Sequence, residues 1–222
     1  MFVMTMDQRA SSGGPDRVTA LVEGLNDPSP REGAGRGMVR PFQRTAGDEV
    51  QGVVERADTV VGIALSAARS GHWSVGIGVG PVRHPMPAET RAGAGPAFEH
   101  ARRAVERAKH SPGHVAVDGP ESAGRDDAAE LFEAVEASLQ LLAELEFRRS
   151  SEGQEAGRWM DAGATQREAA EKLGVSQQAV SSRLRSGLWG ESRRLASVVS
   201  AMLERVDRLA GGADETGAEG QS

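Results

Sequence analysis

Two rhythms of hydrophobic and polar positions run along this chain, and the change from one to the other divides it. In roughly the first 120 residues, short apolar runs with the two-residue period of strands alternate with segments of helical period. Residues 2–6 (FVMTM) form a short strand-like run that stops at Asp7. After a Gly/Ser/Pro turn, residues 16–25 place Val18, Leu21, Val22 and Leu25 on one helical face. Residues 26–37 read as loop. Two strand-like runs, 38–45 and 50–55, are joined by Ala46-Gly47-Asp48-Glu49, a tight hairpin turn. A helix over 57–68, a strand over 73–82 with Val75, Ile77 and Val79 alternating, a helix over 95–109 and a short strand over 114–117 complete the order βαββαβαβ.

Beyond a polar, Gly-rich linker at 119–127 only the helical period remains. A connecting helix over 128–148 carries Leu131, Val135, Leu139, Leu142 and Leu145 along one stripe, and Met202, Val206 and Leu209 continue a terminal helix of similar character. Such stripes serve either as the seam of a dimer or as intramolecular core. The tail at 211–222 is expected to be disordered.

Between these helices lies the most specific pattern, TQREAAEKLGVSQQAVSSRLR over 165–185. A helix over 166–173 turns Ala169, Ala170 and Leu173 inward, and Gly174 supplies a turn that a residue with a Cβ would resist. Ser176 caps a second helix in which Ala179, Val180 and Leu184 pack on the first. That packing leaves Gln177, Gln178, Ser181, Ser182, Arg183 and Arg185 outward, and Thr165 and Gln166 at the start of the first helix beside them. Amides, hydroxyls and guanidinium groups are what base edges and phosphates accept. An ordinary helical hairpin with a solvated face would leave the choice of Gln, Ser and Arg over Glu and Lys unexplained. The segment resembles the helix-turn-helix of bacterial transcription regulators, a resemblance that implies double-stranded DNA as partner, with Gln177, Gln178, Ser181 and Arg183 at base-facing and phosphate-facing positions.

Charge sharpens this picture. The net charge of −6 over 222 residues argues against bulk nucleic-acid binding. Between Ser176 and Leu195, however, four arginines (183, 185, 193, 194) face a single Glu191, whereas the tail holds only Asp214, Glu215 and Glu219. An acidic body with a basic helix suits a regulator that reads specific sites. Zero cysteine removes disulfides, thiolate zinc sites and cysteine nucleophiles. With no apolar run of about 18 residues and no leader pattern, no membrane span and a cytoplasmic location are expected. No two of the five histidines pair at i,i+3 or i,i+4 within one expected helix, as helical metal sites require, and they are expected to be surface or packing residues. Gly76, Gly78 and Gly80 alternate within a strand and so do not open a helix as a phosphate cradle would.

The turn RTAGDEVQGVV at 44–54, set in that element order, resembles the catalytic core shared by class III nucleotide cyclases and diguanylate cyclases, closest to the SatD family. The resemblance covers about residues 1–118 and implies a ferredoxin-like βαββαβ core. It implies that Asp7 and Asp48 hold Mg²⁺ with a nucleotide triphosphate, a hard cation that binds one or two carboxylates plus phosphate oxygens. WSVGIGVGPV at 73–82 is similar to the cyclase strand SIGIA, ARRAVERAK at 101–109 sets Lys109 at a phosphate-contacting lysine, and Arg103 matches a transition-state arginine. Departures accompany these matches: AGDEV replaces GGDEF, the loop after Asp7 is short, and Glu99 stands where an asparagine belongs, an anion close to an anionic ligand. The expected protein is therefore α+β, a degenerate cyclase-like domain at 1–118 joined to an all-α helix-turn-helix domain at 149–210. It is expected to be a homodimeric, sequence-specific transcriptional regulator whose first domain is a nucleotide or small-ligand sensor or a dimerisation platform. A Mg²⁺-dependent nucleotide cyclase and a ligand-free interaction scaffold are the alternatives.

Overall fold

The computed structural model describes residues 1–10, 14–27, 37–120 and 126–217, with side chains of its last stretch described over 128–210. Among the described residues five strands and eight α-helices follow one another as β1 (Phe2–Gln8), α1 (Val18–Asn26), β2 (Met38–Arg44), β3 (Glu49–Val54), α2 (Ala57–Ser70), β4 (Trp73–Val79), α3 (Pro96–Ala108), β5 (Val115–Asp118), α4 (Asp126–Arg148), α5 (Ser151–Asp161), α6 (Gln166–Leu173), α7 (Gln177–Ser186) and α8 (Trp189–Gly217). The fold is mixed α+β, with one five-stranded sheet ordered β2-β3-β1-β4-β5. β1 lies at its centre, antiparallel to β3 and β4, and β5 runs parallel to β4.

Alternation along β1 decides what each face of the sheet meets. Phe2, Met4 and Met6 point into the main core, shared with α1, α2, α4 and α8, whereas Val3 joins a smaller cluster under α3. On that second face α3 approaches the sheet backbone to backbone. A Cβ on Gly76 would stand 2.2 Å from Val105 N, and one on Gly78 would stand 2.1 Å from Ala97 O. The alternating glycines of β4 thus exist for helix packing, opposite the alanines Ala97, Ala101, Ala104 and Ala108 of α3, all fully buried. The strand expected to reach Val82 stops at Val79, because Gly80 takes φ 143° and Pro81 has no N–H to donate.

β5 is an edge strand, and its free backbone groups are answered by side chains. Glu136 accepts from Val117 N (2.7 Å), while Gln140 Nε2 donates to Val115 O (3.2 Å) and Arg107 to Val117 O (2.8 Å). Covering an edge in this way blocks pairing with another chain there.

The stripes of α4 and α8 are spent inside the chain. Val135, Leu139, Leu142 and Ala143 of α4 and Val199, Leu203, Val206 and Ala210 of α8 are buried in the core that α2 shares. Met202 and Leu209, expected on the stripe of the terminal helix, are only half-buried, since the buried face is one residue further round. The buried parts of both stripes are therefore intramolecular core, and Leu131, Leu145, Met202 and Leu209 stay half-buried at their margins. α8 continues through Gly217 into the stretch expected to be unstructured, and 218–222 lie outside the described residues, as do most of the expected loop at 26–37 and part of the linker. Among the described residues no helix is long and apolar enough to cross a membrane.

Candidate functional site

Three short helices near the C-terminus present the polar face that the sequence singles out. Each begins with a hydroxyl that satisfies an otherwise orphaned backbone donor. Ser150 accepts from Gly153 N (3.2 Å), Thr165 from Glu168 N (3.2 Å) and Ser176 from Ala179 N (3.1 Å). At Thr165 the cap is reciprocal, since Glu168 accepts from Thr165 N at 2.7 Å. Gly174 ends α6 in the left-handed region, φ 64°, its N–H returned to Ala170 O. Behind the turn, Ala156, Ala169, Ala170, Val180 and Leu184 are buried together, with Trp159, Met160, Leu173, Val175 and Trp189 around them. Small side chains at the crossing bring α5, α6 and α7 close, which holds the outer face of α7 rigid.

That outer face is as the helical period foretells, with distinctions only the packing makes. Gln177, Gln178, Ser182 and Arg185 are exposed, whereas Ser181 and Arg183 are half-buried. Arg185 donates to Ser181 Oγ at 3.4 Å. Arg183 leans toward α5: Glu152 there is held below the usual carboxylate range by its own backbone N–H, by the Ser150 and Ser151 hydroxyls and more weakly by Arg183. Thr165 and Ser176 spend their oxygens on caps, and Gln166 is half-buried. Arg167, one residue past Gln166 and exposed, was not singled out from the sequence. Its signal is a cation in the first turn of α6, where backbone N–H groups also face outward. No acidic residue occurs in α7.

Behind this unit lies a charge cluster without sequence signal. Glu146 of α4 is completely buried, and three guanidinium groups converge on it: Arg149 (2.5 Å), Arg69 of α2 (3.1 Å) and Arg193 of α8 (3.3 Å). Arg149, itself buried, continues to Gly187 O and Ser192 Oγ, each at 3.0 Å. Arg193 also grips Asp161 of α5 at 2.8 Å. One carboxylate therefore ties the helix over the sheet to the three-helix unit. Burial opposes its ionisation, yet the Arg149 hydrogen bond and the charges of Arg69, Arg149 and Arg193 prevail and hold it below its ordinary value.

At the far end of β1 the structure brings Asp7, Asp48 and Lys109 together. Asp7 lies across from Glu49 on β3 and Ser74 on β4. Lys109, at the end of α3, stands 3.4 Å from the Asp7 carboxylate and 2.8 Å from Glu106. Burial pushes the Asp7 carboxyl up, Asp48 and Glu106 add to this, and Lys109 opposes it. Glu49 supports the turn, accepting from Thr45 Oγ1 at 2.5 Å. Arg103 is not part of this cluster: it donates to Asp118 at the end of β5 (2.9 Å), six residues or about 9 Å along α3 from Lys109. Glu99 is exposed ten residues, roughly 15 Å, from Lys109, so it does not press on the Asp7 site. Among the described residues no three His, Cys, Asp or Glu side chains converge as a metal site. His100 packs, its Nδ1 2.7 Å from Val79 O. No family model, curated protein or solved structure matches the chain.

Proposed function

We propose that this chain is a sequence-specific DNA-binding transcriptional regulator, reading the major groove with α7 of a helix-turn-helix. The observation that carries this is the outer face of α7, where Gln177, Gln178, Ser182 and Arg185 stand exposed without a single acid, on a helix whose other face is buried. Amide side chains match adenine edges and guanidinium groups match guanine or phosphate. Arg185 and Arg167, both exposed, suit phosphate, and the half-buried Arg183 suits a shoulder role beside Glu152. Genome-wide immunoprecipitation with sequencing is expected to return discrete sites sharing one motif. On that motif, Gln178→Ala is expected to relax preference at one base pair by about 1–3 kcal/mol. Arg185→Ala is expected to weaken all sites evenly and reduce the slope of log affinity against log salt by about one. A flat profile, or variants indistinguishable from wild type, sinks the reading.

The first domain reads as a nucleotide or small-ligand sensor. The strand order β2-β3-β1-β4, antiparallel throughout, supports the ferredoxin-like, cyclase-like reading. Asp7 and Asp48 would hold Mg²⁺, which when bound supplies charge neutralisation to a triphosphate, and Lys109 would contact the phosphates. Two carboxylates with a lysine beside them fit a cation that arrives with an anionic ligand, not a bare ion. Arg103, held by Asp118 away from this cluster, does not join them, which favours sensing over cyclase chemistry. Asp7 also sets a sign. Its raised carboxyl means that ionisation opposes folding, so its penalty is absent below the ordinary value of 3.8 and present once the pH rises through the folded value. Asp7→Asn is thus expected to raise the melting temperature at neutral pH, a gain that vanishes in acid, while abolishing the upward shift that Mg²⁺-ATP gives wild type. An unaltered ligand shift in the variant would leave the domain as a scaffold.

A further inference from the structure

A strip of apolar side chains lies uncovered on the outside of α4 and α8. Leu141 is 56% exposed and Val198 53%, and Leu145, Leu195 and Met202 beside them are half-buried. The opposite flank of α4 is occupied, since Glu136 and Gln140 reach β5 and Ala143 lies against Gly113. One flank of α8 is likewise taken, with Arg193 on Glu146 and Asp207 on the Met1 amino group. At 100° per residue, Leu141 and Leu145 stand on the other flank of α4, and Val198 and Met202 on the flank of α8 turned away from α2, whose Arg69 shares Glu146 with Arg193, so the two uncovered flanks adjoin. The Arg193–Glu146 contact sets their level. Five residues on from Arg193 and five back from Glu146, Val198 and Leu141 come abreast on helices that run antiparallel.

The margins of this strip carry opposite charges at opposite corners. By the same count Glu130 of α4 lies level with Leu209 of α8, next to Arg208 and near Arg205, and Arg148 lies level with Glu191; the five charged residues are exposed. Arg148 pairs only with Glu144 of its own helix, and the other four make no ion pair with any described residue. A two-fold axis along the helices sets Glu130 against Arg205 and Arg208 of the other copy and Arg148 against Glu191. An axis across the helices sets Glu130 against Arg148, and Glu191 against Arg205. Either way opposite signs meet, which is the self-complementarity an isologous interface requires. We propose that this strip is the interface between two copies of this chain, with Leu141 and Val198 at its centre. Two copies joined there carry two α7 helices, as reading two half-sites demands.

The test is the mass of the full chain in solution, measured without DNA so that it stands apart from the DNA reading. Wild type is expected at twice 23.3 kDa at micromolar concentration, and Leu141→Glu and Val198→Glu at 23.3 kDa with unchanged circular dichroism, a weakening of about a hundredfold or more. Two milder variants guard against misfolding. Glu130→Arg with Glu191→Arg makes the four corners wholly basic, and Arg148→Glu with Arg205→Glu makes them mainly acidic. Each is expected to be monomeric alone, and the two are expected to form a heterodimer when mixed. Monomeric wild type, dimeric Leu141→Glu, or a mixture that stays monomeric would overturn the proposal.

Discussion

Glu146→Ala is expected to lower the unfolding free energy by about 3–5 kcal/mol, because it leaves the buried Arg149 and the half-buried Arg69 and Arg193 without their anion. The cost comes from uncompensated buried charge, not from the pair's own attraction, much of which offsets desolvation. Glu146→Gln keeps the shape and one acceptor, so it should fall between. Urea titration measures both, and a loss under about 1 kcal/mol for Glu146→Ala would mean that solvent screens the cluster. The pH dependence has a definite sign. The folded carboxyl lies below its ordinary value of 4.5, so its stabilisation is complete above that value and drains away as the pH falls through the folded one. Glu146→Gln should lack this part of the acid loss. Because Glu146 joins α2, α4 and α8 while Arg193 reaches α5, its removal is also expected to loosen the three-helix unit from the sheet before either unfolds.

Gly78→Ala carries the second large effect. The new methyl would lie 2.1 Å from Ala97 O and 2.3 Å from Ala101 N, both backbone atoms of α3, so no rotamer change relieves it. Forcing α3 outward would open the alanine-lined contact along its length, and a loss of about 3 kcal/mol or more is expected. Gly24→Ala, in α1 with nothing within 4 Å of the added Cβ, is the control. It should stabilise by about 0.5–1 kcal/mol, since alanine loses less backbone freedom in a helix. If Gly78→Ala unfolded at the same denaturant concentration as wild type, the close approach of α3 to β4 would be wrong.

Much of this architecture was legible because it is written in local rhythm. α6 spans Gln166–Leu173, the span its apolar spacing predicts, and Gly174 and Ser176 stop and start helices by chemistry confined to a few residues. The hairpin at Gly47 follows from strand lengths and one turn, whereas the placement of Asp7 near Asp48 is what the cyclase resemblance implied and the pairing of β1 with β3 supplies. Where expectation and structure part, a long-range contact decides. Arg103 and Lys109 share a helix and a basic character, yet Asp118 on a different strand takes Arg103 away. Arg183 and Arg185 look alike in sequence, and only the packing leaves Arg183 half-buried while Arg185 stays exposed.

By itself the sequence determined the order of strands and helices over the first 118 residues, the Gly174 turn and Ser176 cap between α6 and α7, and the acid-free polar face of α7, because period, turn chemistry and side-chain type act within about one helical turn or one hairpin. The tertiary structure decided the rest. It decided that the glycines of β4 admit α3, that the stripes of α4 and α8 are core, and that Glu146 collects arginines from 77 residues before it and 47 residues after it. Burial and charge pairing depend on which distant elements meet, and no local pattern encodes that meeting.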